Sequence, residues 1–402
     1  MPIIDMKDML NHAWRNGYAV GAFEISSLDL LQAIVSAAEQ NRAPVILDIP
    51  EGEDCELLMA AAELAARRAN VPAALHCRWG RDIDTAMHAA RIGCNGVSVD
   101  GSGLPLGDHI ELARETCDMA KTCGIACGGV LGGEEELTHV AEAKGFSEKT
   151  GIDFLEVSFS SRISGGKVKF DWTRLREIGE AVGIPLSAEA GIEWSTEQYR
   201  KLSALGVAKV TCRISLEDVA QKLIRGKATL KSLRSGLAEA VEEEAGKYML
   251  LLGAAGRAAE ILARCRIWLN VEHIVAFNAP FCSEMELRFA MKEGQRILGG
   301  IPGVRAVVAG SVTEKSARYR HCWLVLLASP AALENFRKHP HQAAFEEKLL
   351  MPATADRIVG DYTIADQDTG AEQLPVSMAH ARDTEKGSSE KKWQYKWRVH
   401  HG

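Results

Sequence analysis

The chain has 402 residues, 47% hydrophobic and 25% charged, with a formal net charge of −7. The length favours two domains over one, and the composition supplies enough apolar residues for a barrel-sized core. The negative balance excludes the basic footprint of a nucleic-acid or anionic-membrane binder, and no apolar run reaches the ~20 residues that cross a bilayer.

The segment from Met1 to Asp8 lacks the charged start and apolar centre of a signal peptide, so a cytoplasmic location is expected. Ten cysteines without a CxxC pair read as reduced thiols, most of them small core residues. Short β-branched runs then alternate with longer amphipathic segments. Strands are expected at residues 19–24, 44–48, 73–77, 96–100, 125–129, 154–159, 185–189 and 209–213, with helices between them such as 28–41 and 55–69. Eight β-then-α units in this length predict an α/β fold, a (β/α)8 TIM barrel. A doubly wound open sheet is the alternative, and the missing GxGxxG after the first strand counts against it.

Residues 216–269 are rich in Ala, Leu and Glu without proline and read as helices that close the barrel and lead out of it. From Val271 the pattern changes. Strands at 273–277, 304–310 and 322–328 alternate with helices at 284–294 and 330–339, which predicts a ferredoxin-like α+β domain. The expected divisions are a barrel over 1–258, a linker helix over 259–270, the α+β domain over 271–366 and a polar, disordered tail over 367–402.

Four segments resemble the class II, metal-dependent fructose- and tagatose-bisphosphate aldolases, over about residues 1–258. They are the strand and helix Val20–Ile34, the stretch Gly96–Pro105 with Asp100, Gly101 and Ser102, the Leu131–Glu135 loop, and the closing helix Tyr248–Ala258. Val71–Gly80 resembles the family's strand that ends His-Leu-Asp-His-Gly. The resemblance makes that Asp the acid–base residue and the second His a metal ligand, but Arg78 and Trp79 stand there. A guanidinium stays protonated near neutral pH, and an indole N–H only donates. Ile163 falls near the second metal-histidine position and Glu189 stands at the third. A catalytic zinc needs about three protein ligands, so the resemblance implies a barrel without the family's metal and without another cofactor.

The strand ends in this fold carry the site. Here they offer Glu24, Asp100, Glu156, Glu189, Arg78, Arg162 and Arg213, with His76 close by. Alternation puts His76 and Arg78 on one side of their strand. Charges under a barrel mouth are costly unless paired or used. They read either as a new acid–base site for a small anionic substrate or as structural ion pairs. On the first reading the catalytic candidates are Glu189, Arg78, Lys209, His76 and Asp100. Glu189 is the expected general acid/base, tuned by burial, and Lys209 is open as a Schiff-base lysine. The expected substrate-binding residues are Glu24, Ser102, Arg162, Gly191, Arg213 and Ser215.

Residues 273–277, 301–304, 320–325, 336–342 and 358–362 resemble the stress-responsive dimeric A/B-barrel family over about 271–366. That resemblance implies sheet pairing in a homodimer, and in some relatives a cavity where a histidine of the His-Pro-x-His region assists cyclisation. His341 matches one such position. Three functions stay open: aldolase-like lyase chemistry on a phosphorylated carbonyl compound, a non-catalytic scaffold, and cyclase-like chemistry around His341.

Overall fold

The computed structural model describes residues 3–133, 136–162, 168–190, 194–225, 230–314, 316–354 and 356–364, without the side chains of 79, 162, 216–218, 222, 230–235 and 353. The expected tail at 367–402 lies outside the described residues.

The first half runs α1 (Met6–Arg15), β1 (Val20–Glu24), α2 (Leu28–Gln40), β2 (Val45–Ile49), α3 (Cys55–Arg68), β3 (Ala73–Gly80), α4 (Ile83–Ile92), β4 (Gly96–Val99), α5 (Leu106–Cys123), β5 (Ala126–Leu131), α6 (Val140–Thr150) and β6 (Phe154–Val157). A short hairpin, β7 (Ser160–Arg162) and β8 (Val168–Phe170), interrupts the alternation. Then come α7 (Trp172–Val182), β9 (Leu186–Glu189), α8 (Thr196–Ala204), β10 (Val207–Cys212), α9 (Leu216–Arg225), α10 (Leu230–Leu251) and α11 (Ala258–Arg264). Eight parallel strands close in the order β1-β10-β9-β6-β5-β4-β3-β2. Most strand residues are buried on both faces, as a parallel sheet wrapped by helices requires. Side-chain caps fix several helix starts. Ser27 accepts from the Leu30 amide, and Asp82 and Ser195 form capping boxes with Thr85 and Gln198.

The expected linker helix is shorter than the sequence suggested. Helix α11 stops at Arg264, and the chain beyond it runs extended, Ile267 bridging to Ile4 at the base of the barrel. The second domain follows as β11 (Val271–Asn278), α12 (Glu284–Gly299), β12 (Val304–Ser311), β13 (His321–Leu327), α13 (Pro330–Lys338), α14 (Pro340–Phe345), a turn of π-helix at Glu346–Leu350, α15 (Met351–Ala353) and β14 (Asp356–Thr363). The sheet order β12-β13-β11-β14 is ferredoxin-like and antiparallel throughout the described pairs. Alternation along β11 buries Val271, His273, Val275 and Phe277, while Trp323 packs between Phe277 and Phe345.

The second domain docks at the base of the barrel, where helices end and strands begin. Arg305 makes two hydrogen bonds to Glu63, at 3.0 and 2.7 Å, and donates to the Ile92 carbonyl. Arg91 donates to the Gly299 carbonyl, and the Ser329 hydroxyl donates to that of Cys123. Burial alone pushes the Glu63 carboxyl up, but the hydrogen bonds and charge of Arg305 override it and leave the group below its ordinary range.

Candidate active site at the barrel mouth

Residues of the same parity on neighbouring strands point into the barrel, and they stack in levels from base to mouth. At the lower level Phe154 fills the lumen. A Cβ on Gly128 would lie 2.3 Å from that ring, so the strand beside it has to be glycine there. Above it lies a polar layer. His76 Nδ1 is 2.9 Å from Asp48 Oδ1, and Nε2 is 2.9 Å from the Ser98 hydroxyl. The carboxylate can only accept, so Nδ1–H donates to Asp48 and the neutral ring accepts from Ser98 through Nε2. Burial, reinforced by the charge of Lys209, holds the His76 pKa down. Asp48 feels burial upward most strongly, but His76 together with the charges of Lys209 and Arg78 outweighs it and the carboxyl sits below its usual value.

Across the lumen Glu156 joins two cations. Arg78 hydrogen-bonds one of its oxygens, and Lys209 Nζ lies 3.8 Å from the other. Lys209 is 0% exposed, 3.4 Å from the Thr211 hydroxyl and over the Phe154 ring. Burial lowers its pKa despite the carboxylates of Glu156 and Asp48. Arg78 is pulled down by burial and raised further by Glu156 and Glu189, so the guanidinium stays charged.

The upper level opens to solvent. Glu189, at the end of β9, lies 3.1 Å from Arg213 Nε and 3.8 Å from Arg78 Nη1, and Glu24 lies 4.0 Å from Arg213. Asp100 follows β4 and is half-buried; its Oδ1 accepts the amide of Ser102, which is exposed. The loop between them is seated by His109, whose Nε2 accepts the Gly101 amide at 3.2 Å. A Cβ on Gly101 would meet the His109 ring at 2.5 Å. Burial lowers the His109 pKa and favours the neutral, accepting ring.

The structure therefore brings Glu24, Arg78, Glu189 and Arg213 together, with His76 and Lys209 beneath them and Asp100 beside them. Two expectations change. Glu189 has a side chain 41% exposed, because β9 ends at the rim and water reaches past it, so it is not the buried carboxylate that was expected. Lys209 is sealed beneath the rim by Glu156 and Phe154, so a substrate carbonyl does not reach its Nζ and a Schiff base there is not supported. Ser215 is exposed beyond β10, and its carbonyl accepts the Val219 amide. The Arg162 side chain and Gly191 lie outside the described residues, as does Ile163; of Trp79 only the backbone is described. Among the described residues no three His, Cys, Asp or Glu side chains group as metal ligands.

In the second domain His341 is exposed at the start of α14, its amide bonded to His339 Nδ1. A cavity of about 490 Å³ lies instead against α12, lined by residues including Met285, Phe289, Leu349 and Pro352, and His341 is not among its walls. A half-buried dyad escaped the sequence reading. His273 Nδ1 lies 2.7 Å from Asp361, which Arg337 also holds. The pairing spans the first and last strands of the domain, and only their register brings the two together.

Comparisons with known proteins agree with this architecture. The family model "Fructose-bisphosphate aldolase class-II" matches residues 4–257, and "Stress responsive A/B Barrel Domain" matches 271–364. The "Probable fructose-bisphosphate aldolase" of Bacillus subtilis is 28% identical over 246 residues, 56% of this chain and 86% of that protein. The fructose-bisphosphate aldolase of Geobacillus stearothermophilus is 28% identical over 246 residues, 56% of this chain and 85% of that protein. The crystal structure of the YdjI aldolase from Escherichia coli K12 superposes with a TM-score of 0.59 at 24% identity, covering 64% of this chain and 99% of that one, a likeness of fold. The chain thus belongs to the class II fructose-bisphosphate aldolase family, its barrel followed by a stress-responsive A/B-barrel domain.

Proposed function

We propose that the barrel carries out aldolase-like carbon–carbon bond chemistry on a small anionic, phosphorylated carbonyl substrate, without the family's three-imidazole zinc site. One observation carries the reading: the solvent-facing Glu189 carboxylate sits between the guanidiniums of Arg78 and Arg213 at the mouth of the barrel. The same residues do not fit a zinc ion. Glu189 is the only carboxylate at the three inherited ligand positions; Trp79 and Ile163 hold the other two, and two cations already flank the carboxylate.

In the cleavage direction Glu189 takes the proton of the β-hydroxyl. The bond between the hydroxyl-bearing carbon and its neighbour breaks, and the electron pair moves onto the carbonyl oxygen as an enolate. Arg78 stabilises that oxyanion, fixed from below by Glu156. Glu189 then returns the proton to the enolate carbon. Arg213, 59% exposed, exchanges its contacts with Glu189 and Glu24 for a phosphate of the substrate. Lys209 and His76 act as positioning residues.

The test is retro-aldol cleavage of ketose phosphates in the presence of a chelator. The reading expects turnover by the wild type, a kcat loss for Glu189→Gln and a raised KM for Arg213→Ala. Turnover that needs added zinc, or that Glu189→Gln leaves intact, removes it. If no substrate turns over, the scaffold reading gains, because Arg78 and Arg213 are already neutralised by carboxylates within the chain. Cyclase-like chemistry has little support, because neither His341 nor the His273–Asp361 dyad lines the cavity against α12.

The open face of the second sheet supports a homodimer. Ile274, Leu324, Leu326, Val308, Ile358 and Tyr362 lie on the face away from the helices, and Val308, Ile358 and Tyr362 are exposed. Pairing two such faces buries them. Ten free thiols, eight of them buried, fit a reducing compartment such as the cytoplasm.

A further inference from the structure

The loop between β4 and α5 carries Asp100 and Ser102 to the barrel mouth, and its turn rests on a histidine of the helix behind it. Pro105, the residue before the helix, supplies no side-chain cap. Inside the loop the Ser102 amide donates to Asp100 Oδ1 and the Leu104 amide to the Gly101 carbonyl. The Gly101 amide points the other way and donates to His109 Nε2 at 3.2 Å. His109 is 3% exposed and meets Phe146 edge-on, with 4.7 Å between ring centroids. Water therefore has little access to that bond.

The contact works in one protonation state. A neutral imidazole accepts at Nε2. An imidazolium carries a proton on each nitrogen and sets an N–H against the Gly101 N–H. A buried imidazolium also needs an anion beside it. Asp100 is the charged group whose field reaches the ring, and the Val99 carbonyl is a further hydrogen-bond partner of the ring. The same carboxylate also acts on Arg78. Asp100 thus lies between two cations once His109 takes a proton. Gly101, its chain neighbour, is pushed off the ring at the same moment.

We propose that His109 is a positioning residue and a proton-operated latch on the loop of residues 100–105. Neutral, it holds Asp100 and Ser102 at the mouth. Protonated, it releases the Gly101 amide and draws Asp100 away from Arg78. Above about pH 6.5 the ring is neutral and the loop is held, because burial keeps the pKa below its ordinary value. The loop is released as the pH falls through the folded pKa. That the loop serves a substrate rests on the lyase reading; the latch itself does not.

Hydrogen exchange of the full-length chain, read by mass spectrometry from about pH 7.5 to about pH 5 and corrected for intrinsic exchange, tests it. The peptide spanning residues 100–105 is expected to lose protection by roughly tenfold per pH unit below the ring's pKa. The β2 segment Val45–Ile49 is expected to keep its own. His109→Gln, whose amide oxygen accepts from Gly101 at either pH, is expected to remove the pH dependence. Asp100→Asn takes away the anion, so the loss is expected to move to lower pH. The proposal is overturned by equal protection of the loop across the range, or by a loss that Val45–Ile49 shares. It is equally overturned by a loss that His109→Gln leaves unchanged, or by an Asp100→Asn profile that coincides with the wild type. The wild-type series and Asp100→Asn decide the matter if His109→Gln does not fold. Turnover of ketose phosphates is a separate readout: its absence removes the lyase reading and leaves the latch standing.

Discussion

Replacing Glu156 with Gln removes the one anion that bridges two cations inside the barrel, while keeping its volume. Arg78 retains Glu189 at 3.8 Å, but Lys209, with no exposed surface, is left with the more distant charges of Asp48 and Glu189 as its attractive partners. Removing one member of a buried ion pair costs about 3–5 kcal/mol, because the remaining charge stays out of water. At about 2 °C per kcal/mol for a domain of this size, the melting temperature falls by roughly 6–10 °C. Circular dichroism melts near neutral pH read the shift directly. Lys209→Met in the same background removes the stranded ammonium and fills its space with apolar atoms, so the double variant recovers most of the loss. A Glu156→Gln protein that melts with the wild type, or a double variant that loses the sum of both singles, refutes the idea that the bridge is energetically coupled.

Three further outcomes follow from the same geometry. Burial sets the folded pKa of His76 and His109 below the ordinary ~6.5, so the unfolded chain takes up protons first as the pH falls. Their contribution is whole above about pH 6.5 and is lost as the pH falls from there through each folded value, at up to about 1.4 kcal/mol per pH unit for each histidine. Urea midpoints that stay flat from about pH 7 to pH 5 would contradict this, and His109→Gln, which can still accept from Gly101, should flatten the slope. Gly128→Ala drives a methyl group into Phe154 and should cost about 1–3 kcal/mol, with partial rescue by Phe154→Leu; an undiminished urea midpoint would argue against the close approach. Arg305→Ala leaves Glu63 with Arg67 alone at the domain junction and should open the 265–270 connection to protease, with a loss of about 1–3 kcal/mol; unaltered digestion would count against a fixed junction.

The strands were legible because a parallel barrel buries both faces and leaves runs such as Val45–Ile49 nearly free of polar residues. The β7–β8 hairpin was not, since three-residue strands reading Ser-Ser-Arg and Val-Lys-Phe carry no period long enough to see. The charged mouth could be read from strand ends, because position along a barrel strand fixes height. What joins to what could not. Asp48 reaches His76 on the neighbouring strand and Glu156 reaches Lys209 past the intervening β9, and those pairs depend on register and shear. The solvent access of Glu189 was missed for the same reason: sequence gives the residue at the rim, while exposure depends on how far its strand projects past its neighbours.

Arg305, Ser329 and Arg91 anchor the second domain beneath the barrel, on the side away from Glu189 and Arg213. Attachment and entry therefore use opposite poles. Copies that paired through the appended sheet, as proposed above, would keep their openings unobstructed, and the loops around each opening could diverge without disturbing that pairing.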